Sequence, residues 1–171
     1  MDQLEHYIEA LKQRDESAFE YIYNATKQGT FALILSIVRD RSLAEDVMQD
    51  TYMKMVASIH QYRKGESFRN WLLSIAKNQA IDYYRVRKHE TLTNGDDLDA
   101  LEGSQSSGNE FQLEFNELLD LLNQEEREIV VLRIVENMKH QDIAEVLNKK
   151  VGTVMWLFHN AVRKMKKYRK E

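Results

Sequence analysis

The feature that most constrains the fold is the complete absence of proline from a chain of 171 residues, which also holds only six glycines. At a typical proline content of about 5 %, roughly eight or nine prolines would be expected. Because proline interrupts helices and both residues favour turns, their scarcity predicts long helices joined by few tight turns. Hydrophobic residues make up 43 % of the chain, which is enough for one globular domain or two small ones. The predicted fold class is all-α.

Hydrophobic spacing divides the chain into two small helical domains joined by a linker. The first domain, residues 1–88, has the periodicity of four helices, at residues 2–26, 28–39, 42–60 and 69–88. Ser42 and Glu45 have the spacing of a capping box at the start of the third helix. Residues 89–110 combine three glycines with serine, asparagine and many acids, which predicts a flexible acidic linker. Residues 111–171 form the second predicted domain.

The composition argues against several kinds of chemistry. The chain has no cysteine, so disulfides, thiol catalysis and cysteine-rich zinc sites are excluded. Its histidines form no i, i+4 ligand pair, and no glycine loop for phosphates is present. The segment NGDDLDALE, residues 94–102, has the spaced carboxylates of a metal-dependent enzyme but lacks the glycine of a calcium loop. We therefore expect no catalytic residues, no metal and no cofactor.

No apolar run approaches the roughly 18 residues of a membrane span, and the first residues, MDQLEHYIEALKQRDE, are acidic and contain no apolar signal core. These two features predict a cytoplasmic protein without membrane insertion.

The net charge of -4 is unevenly distributed along the chain. Residues 63–88 carry a charge of +5 and residues 139–171 a charge of +6, whereas residues 89–128 between them carry -11. Charges that only solvate helix surfaces would mix the two signs. The two basic segments instead favour binding to nucleic acid, where cations gain affinity by releasing counterions from phosphates.

The second domain has the layout of a helix-turn-helix. A short helix, HQDIAEVL, is followed by the turn NKKV and a longer helix opened by Gly152, the helix that would lie in the major groove of DNA. At 100° per residue, one stripe of this longer helix is apolar and comprises Val154, Phe158, Ala161 and Met165. The opposite stripe comprises Trp156, His159, Asn160, Arg163 and Lys167. Its amide and imidazole groups suit base edges and its cations suit phosphates, while Thr153 lies where it could contact the DNA backbone.

The last helix of the first domain, FRNWLLSIAKNQAIDYYRVRKH, also has a polar, basic face. That face comprises Ser74, Lys77, Asn78, Arg85 and Lys88. Cations and an amide beside aromatic rings suit a nucleic-acid strand, whose phosphates need positive charge and whose bases need stacking partners. Trp71 falls among the apolar positions of this helix and is predicted to lie in the core.

The third predicted helix has an acidic outer stripe with one apolar residue in it. The stripe comprises Glu45, Asp46, Gln49, Asp50 and Met53. Such a surface repels DNA, so it is either plain solvated surface or a docking face for a basic protein partner, with Met53 as an adaptable contact.

These segments together resemble the extracytoplasmic-function sigma factors, the small two-domain branch of the sigma-70 family of bacterial transcription initiation factors. RDESAFEYIY is similar to the opening helix of the family and SLAEDVMQDTYMKM to its core-polymerase-binding segment. FRNWLLSIAKNQAIDYYRVRK resembles the segment that melts the promoter and reads the -10 element. QDIAEVLNKKVGTVMWLFHNAVRKMKK resembles the helix-turn-helix that reads the -35 element. The order and spacing of the four segments are far more specific than any one of them.

The resemblance implies a role for each surface. The acidic stripe would bind the coiled coil of the largest polymerase subunit, and the acidic linker would thread toward the RNA exit path. The loop from Tyr62 to Arg69, with Asn78, would capture a base flipped from the -10 element, and cations farther along the helix would hold the adjoining phosphates. The residues expected at the -10 element are Tyr62, Arg63, Lys64, Phe68, Arg69, Lys77, Asn78, Arg85, Arg87 and Lys88. Those expected at the -35 element are Thr153, Met155, Trp156, His159, Asn160, Arg163, Lys164 and Lys167.

The expected partners are core RNA polymerase and promoter DNA, and the resemblance leaves open whether an anti-sigma factor also binds. A stand-alone helix-turn-helix regulator is the main alternative, and it would be expected to form a symmetric dimer. The acidic stripe and the FRNW segment argue against that alternative, because such a regulator needs neither.

The chain departs from the family pattern at several positions. Met155, Leu157 and Asn160 stand where members commonly have basic residues, and Arg14 stands where a glycine is usual, which predicts an effect on local backbone geometry. We therefore predict that the recognition helix reads its element partly by apolar contact, with Trp156 against a thymine methyl group or sugar edge. The alternative is that Trp156 packs against a neighbouring helix or a protein partner.

Overall fold

The computed structural model of the chain describes residues 3–95 and 110–170, with side chains from Leu113 onward in the second range. The helices are α1 Gln3–Lys12, α2 Glu16–Val38, α3 Arg41–Ser58, α4 Phe68–Asn94, α5 Glu110–Asp120, α6 Gln124–Ile134, α7 His140–Leu147 and α8 Val151–Tyr168, with a short 3-10 helix at Ile59–Gln61. No strand occurs within these two ranges, so the all-α prediction is confirmed. Most of the predicted linker lies outside the described residues.

The first break between helices lies earlier than the periodicity predicts. Helix α1 ends at Lys12, and helix α2 runs without interruption through residue 27, where the sequence predicts a boundary. Arg14 adopts a left-handed backbone conformation with φ of 64°, a conformation that favours glycine. Asp15 then starts helix α2 by accepting a hydrogen bond from the backbone N–H of Ser17 at 3.0 Å.

Helix α3 also starts differently from the prediction. Its N-cap is Asp40, which accepts the backbone N–H of Leu43 at 2.9 Å, so the predicted capping box of Ser42 and Glu45 is wrong. Asp40 also accepts a hydrogen bond from Arg87 at 2.9 Å, which ties helix α3 to helix α4. The hydrogen bond from Leu43 is the largest cause of the lowered pKa of the Asp40 carboxyl. Arg87 lowers this pKa further, whereas burial of the carboxyl opposes the shift.

Helix α4 is longer than predicted. It begins after Ser67, whose hydroxyl accepts the backbone N–H of Asn70, and it continues to Asn94, six residues beyond the predicted boundary at 88. Gly95, with φ of 73°, follows its last residue, where a left-handed conformation commonly ends a helix.

The two domains are packed against each other. One continuous apolar cluster includes Leu33 and Ile37 of helix α2 and Ala76 of helix α4 together with Ile129 of helix α6 and Ile143 of helix α7, all almost fully buried. Each domain also has a smaller core of its own. The sequence predicts the two domains but not this shared core, which decides which surfaces remain exposed.

Candidate nucleic-acid and protein interfaces

Helix α8 has one buried face and one exposed face, as its periodicity predicts. Val154 and Ala161 are fully buried, while the side chain of Trp156 is 64 % exposed. The other exposed members of the outer face are Thr153, Met155, His159, Arg163, Lys164 and Lys167, and Asn160 is half-buried. Trp156 therefore does not pack against a neighbouring helix, which leaves contact with DNA or with a protein partner.

Two residues of helix α8 differ from the predicted arrangement. Leu157 is only 6 % exposed and belongs to the shared core, so it does not take part in an apolar groove surface. Its spacing of three residues from Val154 places it on the buried side, a signal already present in the sequence. Lys164 is exposed, but its ammonium group is bound to the buried carboxylate of Glu126 at 2.8 and 2.9 Å.

The helix-turn-helix is formed by α7 and α8. Asn148 ends helix α7 in a left-handed conformation with φ of 51°, and the chain turns within three residues into helix α8. The ring of His140 lies 5.2 Å from that of Phe158 and so links the two helices. Burial lowers the pKa of His140, and Arg133 and His159 lower it further, so this imidazole is neutral at physiological pH.

The acidic stripe lies on the outer face of helix α3. Glu45, Asp46, Gln49 and Met53 are exposed, whereas Asp50 is half-buried and accepts a hydrogen bond from the Tyr83 hydroxyl. This bond raises the pKa of Tyr83 because it favours the neutral hydroxyl.

An apolar groove of about 660 Å³ runs beside the stripe. Its walls include Phe19, Tyr23 and Tyr52, and the exposed side chains of Met53 and Val56 lie at its edge. The acidic stripe and the groove together can hold a helix that is basic on one side and apolar on the other.

The loop predicted to capture a -10 base is anchored by two aromatic rings. Tyr62 and Phe68 are 3 % and 4 % exposed, with ring centroids 5.3 Å apart, so both belong to the core instead of facing DNA. The Tyr62 hydroxyl donates to the backbone carbonyl of Glu66 at 2.7 Å and closes the loop. Arg63 and Lys64 are exposed at its outer end.

The remaining -10 candidates lie along helix α4 in different environments. Asn78, Arg85 and Lys88 are exposed, Lys77 is half-buried, and Arg87 is bound to Asp40 as described above. Trp71 is half-buried against the core of the first domain, as its position predicts. The exposed cations and Asn78 thus share one helix, downstream of the anchored loop.

Asn70 links the two domains, although no feature of the sequence predicts a role for it. Its side chain is buried, and its amide donates to Asp142 at 3.1 Å and to Glu145 at 3.2 Å. Neighbouring Arg69 donates to Glu136 at 2.7 Å. No local pattern predicts such bonds, because the partners are about seventy positions apart in the chain.

Within residues 3–95 and 110–170, no three His, Asp or Glu side chains are arranged to hold a metal ion. The predicted carboxylate segment at 94–102 lies almost entirely outside these ranges. None of the described helices combines the length and the apolar character that crossing a membrane requires.

Comparison with known proteins explains why these surfaces occur together. The model of sigma-70 region 2 matches residues 22–90, and that of sigma-70 region 4 matches residues 112–165. The ECF RNA polymerase sigma factor EcfG of Rhodopseudomonas palustris (strain TIE-1) is 32 % identical over 127 residues, which cover 72 % of this chain and 68 % of that protein. The chain belongs to the extracytoplasmic-function sigma factors of the sigma-70 family.

Two further relatives are similar to this chain over a larger share of its length. The ECF RNA polymerase sigma factor SigX of Bacillus subtilis (strain 168) is 24 % identical over 163 residues, which cover 90 % of this sigma factor and 84 % of SigX. The sigma factor RpoE of Bartonella quintana, solved in complex with the anti-sigma factor NepR, has the same fold, with a TM-score of 0.78. It is 22 % identical, and the match covers 89 % of this chain and 96 % of that chain. The sigma factor binds core RNA polymerase and directs transcription initiation at specific promoters.

Proposed function

We propose that the outer face of helix α3 is the surface on which this sigma factor docks to core polymerase. Glu45 and Asp46 give the face its negative charge, and the groove beside Met53 gives it an apolar component. A partner helix with basic and apolar residues would satisfy both. Asp50 contributes less directly, because its carboxylate already accepts the Tyr83 hydroxyl.

In the first domain, the exposed residues of helix α4 and its preceding loop read and hold the -10 element. Asn78 is the candidate for base recognition, because its amide is exposed and can both donate and accept hydrogen bonds. Arg63, Lys64, Arg85 and Lys88 hold phosphates, while Tyr62 and Phe68 fix the shape of the loop from within the core.

In the second domain, helix α8 enters the major groove at the -35 element. Trp156 and Met155 provide apolar contact to thymine methyl groups. His159 and Asn160 provide hydrogen bonds to base edges. The Thr153 hydroxyl contacts the DNA backbone and so fixes the start of the helix. Phosphates are held by Arg163 and Lys167, which are exposed. Lys164 is a weaker candidate because it is bound to Glu126.

The sigma factor performs this role in the cytoplasm, without catalytic residues, metal or cofactor of its own, and the polymerase carries out RNA synthesis. An anti-sigma factor is a further proposed partner, since the relative of known structure from Bartonella quintana was solved with one. Copurification from the native organism, followed by mass spectrometry, would identify such a partner.

The single observation that supports the proposal best is the separation of an acidic, partly apolar face on helix α3 from the basic faces of helices α4 and α8. The decisive experiment adds the purified chain to core polymerase free of other sigma factors and maps the 5′ ends of transcripts from genomic DNA. We expect discrete start sites that share two upstream elements and depend on the added chain. Random initiation, equal with and without the chain, would contradict the proposal.

A further inference from the structure

Helix α4 continues beyond the core that it helps to build. Among the described residues, the last members of this helix to pack against an apolar cluster are Tyr83 and Tyr84, whereas the helix itself ends at Asn94. Residues 85–94, which we call the helix extension, therefore project from the body of the first domain. The match to sigma-70 region 2 ends within them, at residue 90.

One side of the helix extension is attached to the body. Arg87 donates to Asp40 at 2.9 Å, and Asp40 is itself fixed as the N-cap of helix α3. Thr91 lies one turn further along the same side and is half-buried. These contacts fix the rotation of the helix extension about its axis, so its opposite side faces solvent.

The opposite side is a stripe of cations and an imidazole with an apolar end, which we call the extension stripe. Its members are Arg85, Lys88, His89 and Leu92. At 100° per residue they fall within about 100° of one another, at the spacing i, i+3, i+4 and i+7. All four are exposed, and Leu92 is 61 % exposed. Within the part of the chain that the structure describes, none of these side chains has a hydrogen-bond or ion-pair partner. The one acid of the helix extension, Glu90, lies on another side.

The chemistry of the extension stripe fits duplex DNA. Its cations and imidazole can bind phosphates, and Leu92 can pack against sugars or a thymine methyl group. A single strand would also need aromatic rings on which its bases stack, and the stripe contains no Phe, Tyr or Trp.

The extension stripe is also continuous with the surface proposed for the -10 element. Asn78 lies two turns before Arg85 on the same side of helix α4. The helix rises about 21 Å from Asn78 to Leu92, which corresponds to roughly six base pairs of duplex. The far end of the stripe therefore reaches well past a base that Asn78 contacts.

We propose that the helix extension is a second DNA contact, which binds the duplex on the -35 side of the -10 element. The inference rests on the proposed role of helix α4 at the -10 element, and it adds His89 and Leu92 to the DNA-binding residues. Arg85 and Lys88 hold phosphates where single strand and duplex meet. His89 donates to a phosphate further along the duplex, and Leu92 packs against its sugars.

The direction follows from the order of the chain. Helix α4 is followed in the chain by the second domain, whose helix α8 is proposed to read the -35 element. The end of α4 that leads toward that domain is therefore the end that meets the DNA between the two elements.

The test compares exposed residues on two sides of the same helix. The double variant His89→Ala/Leu92→Ala removes the two contacts that the proposal adds. Its matched control is Val86→Ala/Thr93→Ala, because Val86 is 59 % exposed and both control residues lie outside the extension stripe. Alanine preserves helix propensity at these exposed positions, so both variants should fold, and circular dichroism verifies this.

Each protein is assembled with core polymerase, and binding is measured by fluorescence anisotropy on two DNA probes from a promoter found by transcript mapping. Both probes present the -10 element as a single strand. In the duplex probe, about eight base pairs follow on the -35 side, which exceeds the reach of the stripe, and the probe ends before the -35 element. In the second probe, the same stretch is single-stranded.

We expect His89→Ala/Leu92→Ala to bind the duplex probe about fivefold more weakly than the unsubstituted chain, because a hydrogen bond to a charged group and an apolar contact are lost. Its binding to the second probe, and both affinities of the control, should be unchanged. Equal binding of the duplex probe by the double variant and its control would overturn the proposal. Equal weakening on both probes would assign the stripe to single-stranded DNA and would overturn it as well. Failure of the proposed function is distinguishable, because neither probe would then show binding that depends on the sigma factor.

Discussion

The ammonium group of Lys164 lies 2.8 and 2.9 Å from the two carboxylate oxygens of Glu126, and Glu126 in turn closes the capping box at the start of helix α6 through Asn123. A residue that appears from the sequence to be a phosphate contact thus has a structural partner. Because Glu126 is 2 % exposed, its negative charge depends on this lysine for compensation.

We predict that Lys164→Met destabilises the fold more than it weakens DNA binding. The expected loss is about 1 to 2 kcal/mol in unfolding free energy, since the half-exposed lysine is partly screened by water. Chemical denaturation measures this loss, and Lys166→Met, at an exposed position, serves as the control. The opposite result would be a Lys164→Met variant as stable as the control, with a slope of log binding constant against log salt concentration that is shallower by about 0.9. That result would assign Lys164 to a phosphate contact.

Reversing charge on helix α3 should weaken docking to core polymerase. Asp46→Lys is expected to reduce affinity about tenfold by placing like charge against a basic partner, with a stability change below about 0.5 kcal/mol. Binding to purified core polymerase can be measured by fluorescence anisotropy of labelled sigma factor. Glu20→Lys changes an exposed acid on helix α2 and should bind normally; equal effects of the two variants would indicate only a general effect of charge.

Asn78→Ala should relax base preference at one position of the -10 element by about 1 to 3 kcal/mol and leave the other positions nearly unchanged. The measurement is transcription from a panel of promoters with single substitutions. Lys88→Ala provides the contrast, since loss of a phosphate contact weakens all promoters alike. Uniform weakening by Asn78→Ala would assign it to the DNA backbone.

Adjacent residues on helix α8 should behave in opposite ways. Trp156→Ala, at an exposed side chain, should leave the melting temperature nearly unchanged and reduce discrimination for thymine in the -35 element. Leu157→Ala removes a buried side chain and should cost about 2 to 5 kcal/mol of stability. Thermal melting and binding to -35 variants measure both effects. Unaltered base preference in a folded Trp156→Ala protein would leave a protein partner as the explanation for the exposed ring.

The buried carboxyl of Glu128 should make stability depend on pH. Burial raises its pKa, against smaller opposing effects of a hydrogen bond from Gln124 and the charge of Lys77. A raised pKa in the folded state gives stability that is present below the unfolded pKa and lost as pH rises through the folded one. The unfolding free energy of Glu128→Gln should therefore increase relative to the unsubstituted chain as the pH rises above the ordinary range of a glutamate pKa. Glu117→Gln, at an exposed position, is the control, and a difference independent of pH would contradict the prediction.

Much of this fold is determined by the sequence alone, because helical periodicity is local. The spacing of apolar residues predicts helix α7 to the residue, separates the buried Val154 and Ala161 from the exposed Trp156, and places the acidic stripe on the outer face of helix α3. Each of these features depends only on which residues lie three or four positions apart.

The tertiary structure decides the remaining features, for a physical reason that no local pattern contains. The break at Arg14 depends on a left-handed backbone conformation in a residue that does not usually adopt one. Asn70 acquires its role from Asp142 and Glu145, which approach it only when two domains far apart in the chain share a core. The sequence by itself thus determined the helices, their faces and the family, whereas the docking of the domains decided which DNA-binding residues are free and which are already occupied.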